Sequence, residues 1–138
     1  MPVAYLTRAV HFSATHRYAR PGWTAEQNAA AFGPTVEEHG HDYRCEVTVK
    51  GTTDGETGMV IDLGALDVIL SHEVVGRFDH RRIHLDVPEF AEGRLMPTGE
   101  MLCVEIFARV AAKLPAGCSL ASVRVAEDDT LWSEYRGE

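Results

Sequence analysis

Seven histidines occur in the chain, at positions 11, 16, 39, 41, 72, 80 and 84. The densest arrangement is His39-Gly40-His41. Side chains two apart on a strand point to the same face, so both imidazoles can converge on one ion. Gly40 between them leaves room for close approach. By the same parity Phe12, Ala14 and His16 share one face of an earlier strand. If the two strands pair, His16 supplies a third nitrogen. Three protein nitrogens with a fourth position open are the composition of a catalytic zinc site, whereas structural zinc sites are closed. No thiolate is near in sequence, so an all-imidazole Zn²⁺ site of His16, His39 and His41 is the reading. The competing reading is a pair of rings hydrogen-bonded at a strand end. His80 follows Asp79, and a carboxylate beside an imidazole can fix its tautomer for acid–base work. Residues adjacent in sequence need not face each other, so a polar helix end explains that pair equally well. His11 lies on the opposite face from His16 and His72 falls inside a helix, which makes both surface residues. His84 sits in a polar loop with no signal of its own.

These side chains need a frame. Residues 3–16 and 39–50 read as strands, the second with Tyr43, Cys45, Val47 and Val49 on one face and charged residues on the other. Between them lies a loop with a short helix capped by Thr24, running through Phe32 and stopped by Gly33-Pro34. Asp62 caps a helix whose apolar positions are Leu63, Leu66, Ile69, Leu70 and Val74. A second helix spans about Thr98 to Lys113, with Leu102, Ile106, Phe107 and Val110 as its stripe. Leu120–Val125 and Leu131–Tyr135 form a closing hairpin. The order is ββααββ. It predicts an α+β fold: a four-stranded antiparallel sheet with two helices on one face, in a single domain over residues 1–138. The two open edges of so small a sheet predict oligomerisation.

The chain has 138 residues, with 13 Lys+Arg against 21 Asp+Glu and a formal net charge of −8. That balance argues against nucleic acid as a partner. Apolar runs of only a few residues argue against a membrane span. The first residues lack a basic segment followed by an apolar stretch, and the three widely spaced cysteines (Cys45, Cys103, Cys118) read as reduced thiols, so a cytoplasmic location is expected.

Several separated motifs occur in order: Phe12-Ser13-Ala14-Thr15-His16, His39-Gly40-His41-Asp42-Tyr43, Gly58-Met59-Val60-Ile61-Asp62, Phe78-Asp79-His80, Pro97-Thr98-Gly99-Glu100 and Tyr135-Arg136-Gly137-Glu138. Together they resemble the 6-pyruvoyltetrahydropterin synthase / 6-carboxytetrahydropterin synthase family over almost the whole chain. The resemblance implies the tunnelling (T-) fold and a homohexamer built as a dimer of trimers. It implies Zn²⁺ on His16, His39 and His41, and a pterin anchored through Glu127 in a pocket that Thr98 and Glu100 line. It also implies Asp79 and His80 as catalytic partners of a cysteine a few residues before the HGH motif.

That cysteine is missing. Thr35 holds its position, and a threonine hydroxyl is far too weak an acid to replace a thiolate. Glu37 and Glu38 are candidate auxiliary bases, provided that burial beside each other raises their pKa. Two functions follow from the resemblance. One is a zinc-dependent lyase or aldolase-type enzyme on a dihydroneopterin-like substrate, with altered chemistry. The other is a pterin-binding carrier or regulatory module without synthase activity. A third, in which the fold is reused with neither metal nor pterin, is opposed by the intact His16, His39, His41 and Glu127.

Overall fold

The computed structural model describes residues 2–92 and 94–138. Four strands form one antiparallel sheet in sequence order: β1 (Val3–His16), β2 (His39–Thr52), β3 (Cys118–Asp128) and β4 (Leu131–Tyr135). The alternation in β1 and β2 becomes the two faces of the sheet. Phe12, Ala14, Tyr43, Cys45, Val47, Val49, Val123 and Val125 are buried on one face. The other face is polar, with a Thr7–Thr48 hydroxyl contact of 2.7 Å and Arg44 and Arg124 beside Glu46. The helical segments at residues 63–78 and 99–111 cover the apolar face, as expected of an antiparallel sheet with one face buried.

Caps set the helix starts. Thr24 and Gln27 form a reciprocal capping box at α1 (Ala25–Phe32). Asp62 accepts from Ala65 N–H ahead of α2 (Leu63–Leu70), and Thr98 accepts from Met101 N–H ahead of α5 (Gly99–Ala111). The α2 stripe does not run on as a regular helix through Val74. It passes through a π-helical turn, Ser71–Val75, into the short α3 (Gly76–Phe78). Gly76 N–H bonds back to the Ser71 carbonyl, and a Cβ at Gly76 would stand 2.9 Å from that oxygen. A residue without a side chain is therefore what permits the widened turn. Leu66, Leu70, Val74 and Phe78 still reach the core, where they join Leu102, Ile106 and Val110 of α5. Phe12 stacks on both Tyr43 and Phe78, at 4.8 and 5.3 Å between centroids.

The register carries the functional consequence. Pairing of β1 with β2 sets His16 opposite His39 and Ala14 opposite His41, at the open end of the sheet beyond the core. On β3 the pairing with β4 shifts between Ala126 and Asp128, a bulge centred on Glu127. After α3, residues 79–82 run beside the end of β1: His80 N–H donates to Ser13 C=O, Thr15 N–H donates to Arg81 C=O, and Thr15 bridges to Arg82. α4 (Ile83–Asp86) follows and has no counterpart in the sequence reading. Among the described residues no helix is long and apolar enough to cross a membrane.

Candidate metal and ligand site

His16, His39 and His41 meet as the strand parity requires, with one ligand atom from each lying within 4.8 Å of the others. Two backbone carbonyls fix the rings. His16 Nδ1 lies 2.7 Å from Pro97 C=O, and His39 Nδ1 lies 2.8 Å from Glu37 C=O. A carbonyl only accepts, so each Nδ1 carries the proton and each Nε2 presents a lone pair to the centre. His16 is fully buried, and burial is the main reason its pKa falls to about 4; the neighbouring His39 and His41 push the same way against the Pro97 bond. It is therefore neutral near pH 7, the state in which an imidazole binds metal. The Nε2 atoms of His16 and His41 are buried without a hydrogen-bond partner. Buried polar nitrogens are rarely left so, and a cation at the centre of the cluster would satisfy both.

Gly40 does not make the room. Its missing side chain faces the opposite side of the sheet, where a Cβ would meet Thr15 at 3.4 Å. Parity alone brings the imidazoles together.

Glu127 continues the inward parity of Val123 and Val125, and its side chain is only 12% exposed. Its Oε1 stands 3.7 Å from His16 Nε2 and its Oε2 3.9 Å from His41 Nε2. Tyr18, which the sequence reading passed over, donates its hydroxyl to Glu127 Oε1 at 3.4 Å and packs edge-on against His16. Burial, then the charges of Glu127 and Glu100, drive the Tyr18 phenol upward, so it keeps its proton. Tyr43, also unanticipated, lies under the cluster with its hydroxyl 3.2 Å from His16 Nδ1. Thr98 sits next to Pro97, but its hydroxyl is occupied in capping α5. Glu100 is exposed and accepts from Ser133 Oγ at 3.3 Å.

The other expected groups lie elsewhere. Asp79 accepts from Ser13 N–H, and its second oxygen is 3.4 Å from His80 Nε2. The Asp79-His80 pair thus does face itself, aided by a positive φ of 58° at His80 that is uncommon outside glycine. His80 is 83% exposed and borders a shallow concavity lined by Ser13, Thr15 and Asp42, whose side chains are on the sheet face opposite the imidazole cluster, and also by Gly40 and His41. Within one chain the two halves of the expected machinery are on different faces.

Glu38 overturns the condition set for it. Its carboxylate accepts from Arg82 Nη2 at 2.7 Å, from Arg82 Nε at 3.1 Å and from Thr15 Oγ1 at 2.9 Å. His84 Nε2 is 3.3 Å away on α4, so His84 stands beside the Glu38 carboxylate and not in an idle loop, while its own burial lowers its pKa. Arg82 first, then Thr15, hold Glu38 down to about pH 2, the opposite of a raised general base. Glu37 contributes its carbonyl to His39 while its side chain stays exposed. Thr35 donates its hydroxyl to Phe32 C=O at 2.5 Å, turned into its own loop. Cys45 is buried in the core, where burial drives its thiol upward.

Comparison with known proteins agrees with this frame. The profile of 6-pyruvoyl tetrahydropterin synthase matches residues 5–138. The 6-pyruvoyl tetrahydrobiopterin synthase of Poecilia reticulata is 36% identical over 138 residues, covering 99% of this chain and 92% of the relative. The Homo sapiens protein of the same name is 35% identical over 137 residues, covering 98% and 92%. Among solved structures, Caenorhabditis elegans 6-pyruvoyl tetrahydropterin synthase superposes with a TM-score of 0.91 at 28% identity, covering 100% of this chain and 98% of that one. A Plasmodium vivax structure at 14% identity and a TM-score of 0.67 shares the fold. With its sheet, its histidine cluster and these full-length matches, the chain belongs to the 6-pyruvoyl tetrahydropterin synthase family.

Proposed function

We propose that this protein binds a pterin beside a zinc ion and acts as a lyase or aldolase-type enzyme on a dihydroneopterin-like substrate, with chemistry altered from a pyruvoyl or carboxy synthase. The observation that carries the reading is the convergence of three imidazoles, two of them held by backbone carbonyls and two with orphaned Nε2 atoms, beside a largely buried glutamate. His16, His39 and His41 would hold the metal. When bound, zinc supplies Lewis acidity to the oxygens of a pterin side chain, which makes the adjacent carbon-bound proton easier to remove. Glu127 offers two carboxylate oxygens to the guanidine-like edge of the pterin, a bidentate charge-assisted contact that orients the ring. Thr98 and Glu100 border the same pocket.

The proton carrier is His80. Asp79 holds its Nε2 side, which leaves Nδ1 and the exposed face of the ring to solvent or to a neighbouring copy. In a homohexamer of stacked trimers, His80 of one subunit would serve the metal cluster of another, and the unpaired outer edges of β1 and β4 are the surfaces that would join the sheets. Glu37 remains an auxiliary candidate; Glu38 does not, because Arg82 holds it charged.

A second reading, a pterin-binding module without synthase activity, is favoured by Thr35, whose hydroxyl is spent on its own loop. One assay separates the two. The protein is incubated with 7,8-dihydroneopterin triphosphate and with dihydroneopterin, and the pyruvoyl, carboxy and 6-hydroxymethyl pterins are followed in parallel. Side-chain cleavage that disappears in His80→Ala supports the enzyme. Silence in all three channels with tight pterin binding supports the module.

A further inference from the structure

The Glu127 side chain is 12% exposed, with Oε1 3.7 Å from His16 Nε2 and Oε2 3.9 Å from His41 Nε2. Neither nitrogen has a hydrogen-bond partner, and the His16 proton is on the far side of the ring, against Pro97. The imidazoles therefore make no hydrogen bond that orients the carboxylate. Among the described residues one side chain does. Tyr18 donates its hydroxyl to Oε1, and no other donor reaches either oxygen. The bond is long at 3.4 Å, but nothing competes for it. A largely desolvated carboxylate with a single donor has only that bond to fix the direction of its lone pairs.

Tyr18 is itself held. It lies two residues past His16, and its N–H donates to Thr35 C=O at 2.9 Å. Its ring stands edge-on to His16 at 4.9 Å, to Phe32 of α1 at 6.0 Å and to His39 at 6.2 Å between centroids. A ring packed on three others and tied through its backbone leaves the hydroxyl little freedom, so its position sets that of Oε1. A carboxylate offers about four lone-pair sites, and the phenol takes one of them. The remaining site on Oε1 and those on Oε2 suffice for two parallel N–H donors.

We infer that Tyr18 is a positioning residue: its hydroxyl holds the Glu127 carboxylate in the orientation that receives a guanidine-like edge, and so sets the preference of the site for ligands that carry one. This rests on the reading of Glu127 as the ligand anchor. Its consequence is that the segment between β1 and β2, whose Thr35 cannot act as a thiolate, still contributes to ligand choice through the tyrosine it holds.

The test uses the intact protein supplied with Zn²⁺ and two probes of nearly equal size. Unsubstituted pterin has the guanidine-like edge; lumazine is the same bicycle with an oxygen in place of the amino group. Both are titrated by fluorescence into wild type, Tyr18→Phe, Glu127→Gln and the double variant. Thermal melting confirms that each is folded, and elemental analysis that each holds the same metal. Tyr18→Phe keeps the ring and removes only the hydroxyl. It is expected to weaken pterin about fivefold and to leave lumazine nearly unchanged. In the Glu127→Gln background it should cost nothing further, since it acts through that carboxylate. Unchanged pterin affinity in Tyr18→Phe would overturn the inference. Equal losses for pterin and lumazine would overturn it too, because they mark a structural role alone, and so would the same loss with and without Glu127. A wild type that does not prefer pterin over lumazine, or a preference that survives Glu127→Gln, would instead sink the anchor reading, and this inference with it.

Discussion

Glu38 separates two accounts of the segment before the metal histidines. As a base, it would act on substrate; as the structure places it, it ties three pieces of chain together. Its carboxylate joins Thr15 at the end of β1, Arg82 after α3 and His84 on α4, one residue before His39. Arg82→Ala and Glu38→Gln each remove the same ion pair, so their effects should overlap. Charge-assisted bonds of 2.7 and 3.1 Å are strong in isolation, but the side chains are 56% and 31% exposed and water screens them. The coupling should therefore sit near the upper end for surface pairs, about 1 kcal/mol. For a domain of this length, unfolding entropy near 2 cal/mol/K per residue turns that into a fall of about 3 °C in Tm. The assay is thermal unfolding of wild type, both single variants and the double variant, each stripped of metal. The double variant should melt where the more damaged single does, leaving a coupling of about 1 kcal/mol. Strictly additive losses would refute the clamp, and loss of activity in Glu38→Gln with none in Arg82→Ala would restore Glu38 as a base.

Further outcomes follow from the same geometry. His39→Ala should abolish zinc in elemental analysis while leaving the oligomer intact, because the core of Phe12, Tyr43, Leu66 and Ile106 lies beyond the cluster. Glu127→Gln should weaken pterin binding by about 2 kcal/mol, roughly thirtyfold, measured by fluorescence titration; equal binding would move the pocket elsewhere. Conversion of dihydroneopterin triphosphate to the pyruvoyl or carboxy pterin should be slight, since Thr35 replaces a thiol; robust formation of either product would show that another group does the cysteine's work. Sedimentation at micromolar concentration should give a hexamer, or at least a trimer, and a lone 15.2 kDa species would contradict the pairing of sheet edges.

The sequence was most informative where one rule governs many residues. Period-two alternation placed β1 and β2 and the shared face of His16, His39 and His41, since strand geometry leaves a side chain only two directions. Thr24, Asp62 and Thr98 marked helix starts because a cap needs only local chemistry. Contacts made by backbone or across distant segments were not legible. Nothing in the residue types of Pro97 or Glu37 announces that their carbonyls hold the imidazole protons. The Glu38–Arg82 pair joins residues far apart in sequence, and only the bridge of residues 79–82 onto Thr15 brings them together. Gly76, which admits the π-helical turn, reads in sequence as an ordinary interruption of an apolar stripe.

The central claim is that three imidazoles hold a zinc ion beside a pterin anchored on Glu127. Crystals soaked with a pterin, with diffraction recorded on both sides of the zinc absorption edge, test it most directly. The account predicts one anomalous peak bonded to Nε2 of His16, His39 and His41, with the guanidine-like edge of the pterin on both oxygens of Glu127. A zinc-supplied protein with no peak at the three histidines, or a pterin bound away from Glu127, would contradict it.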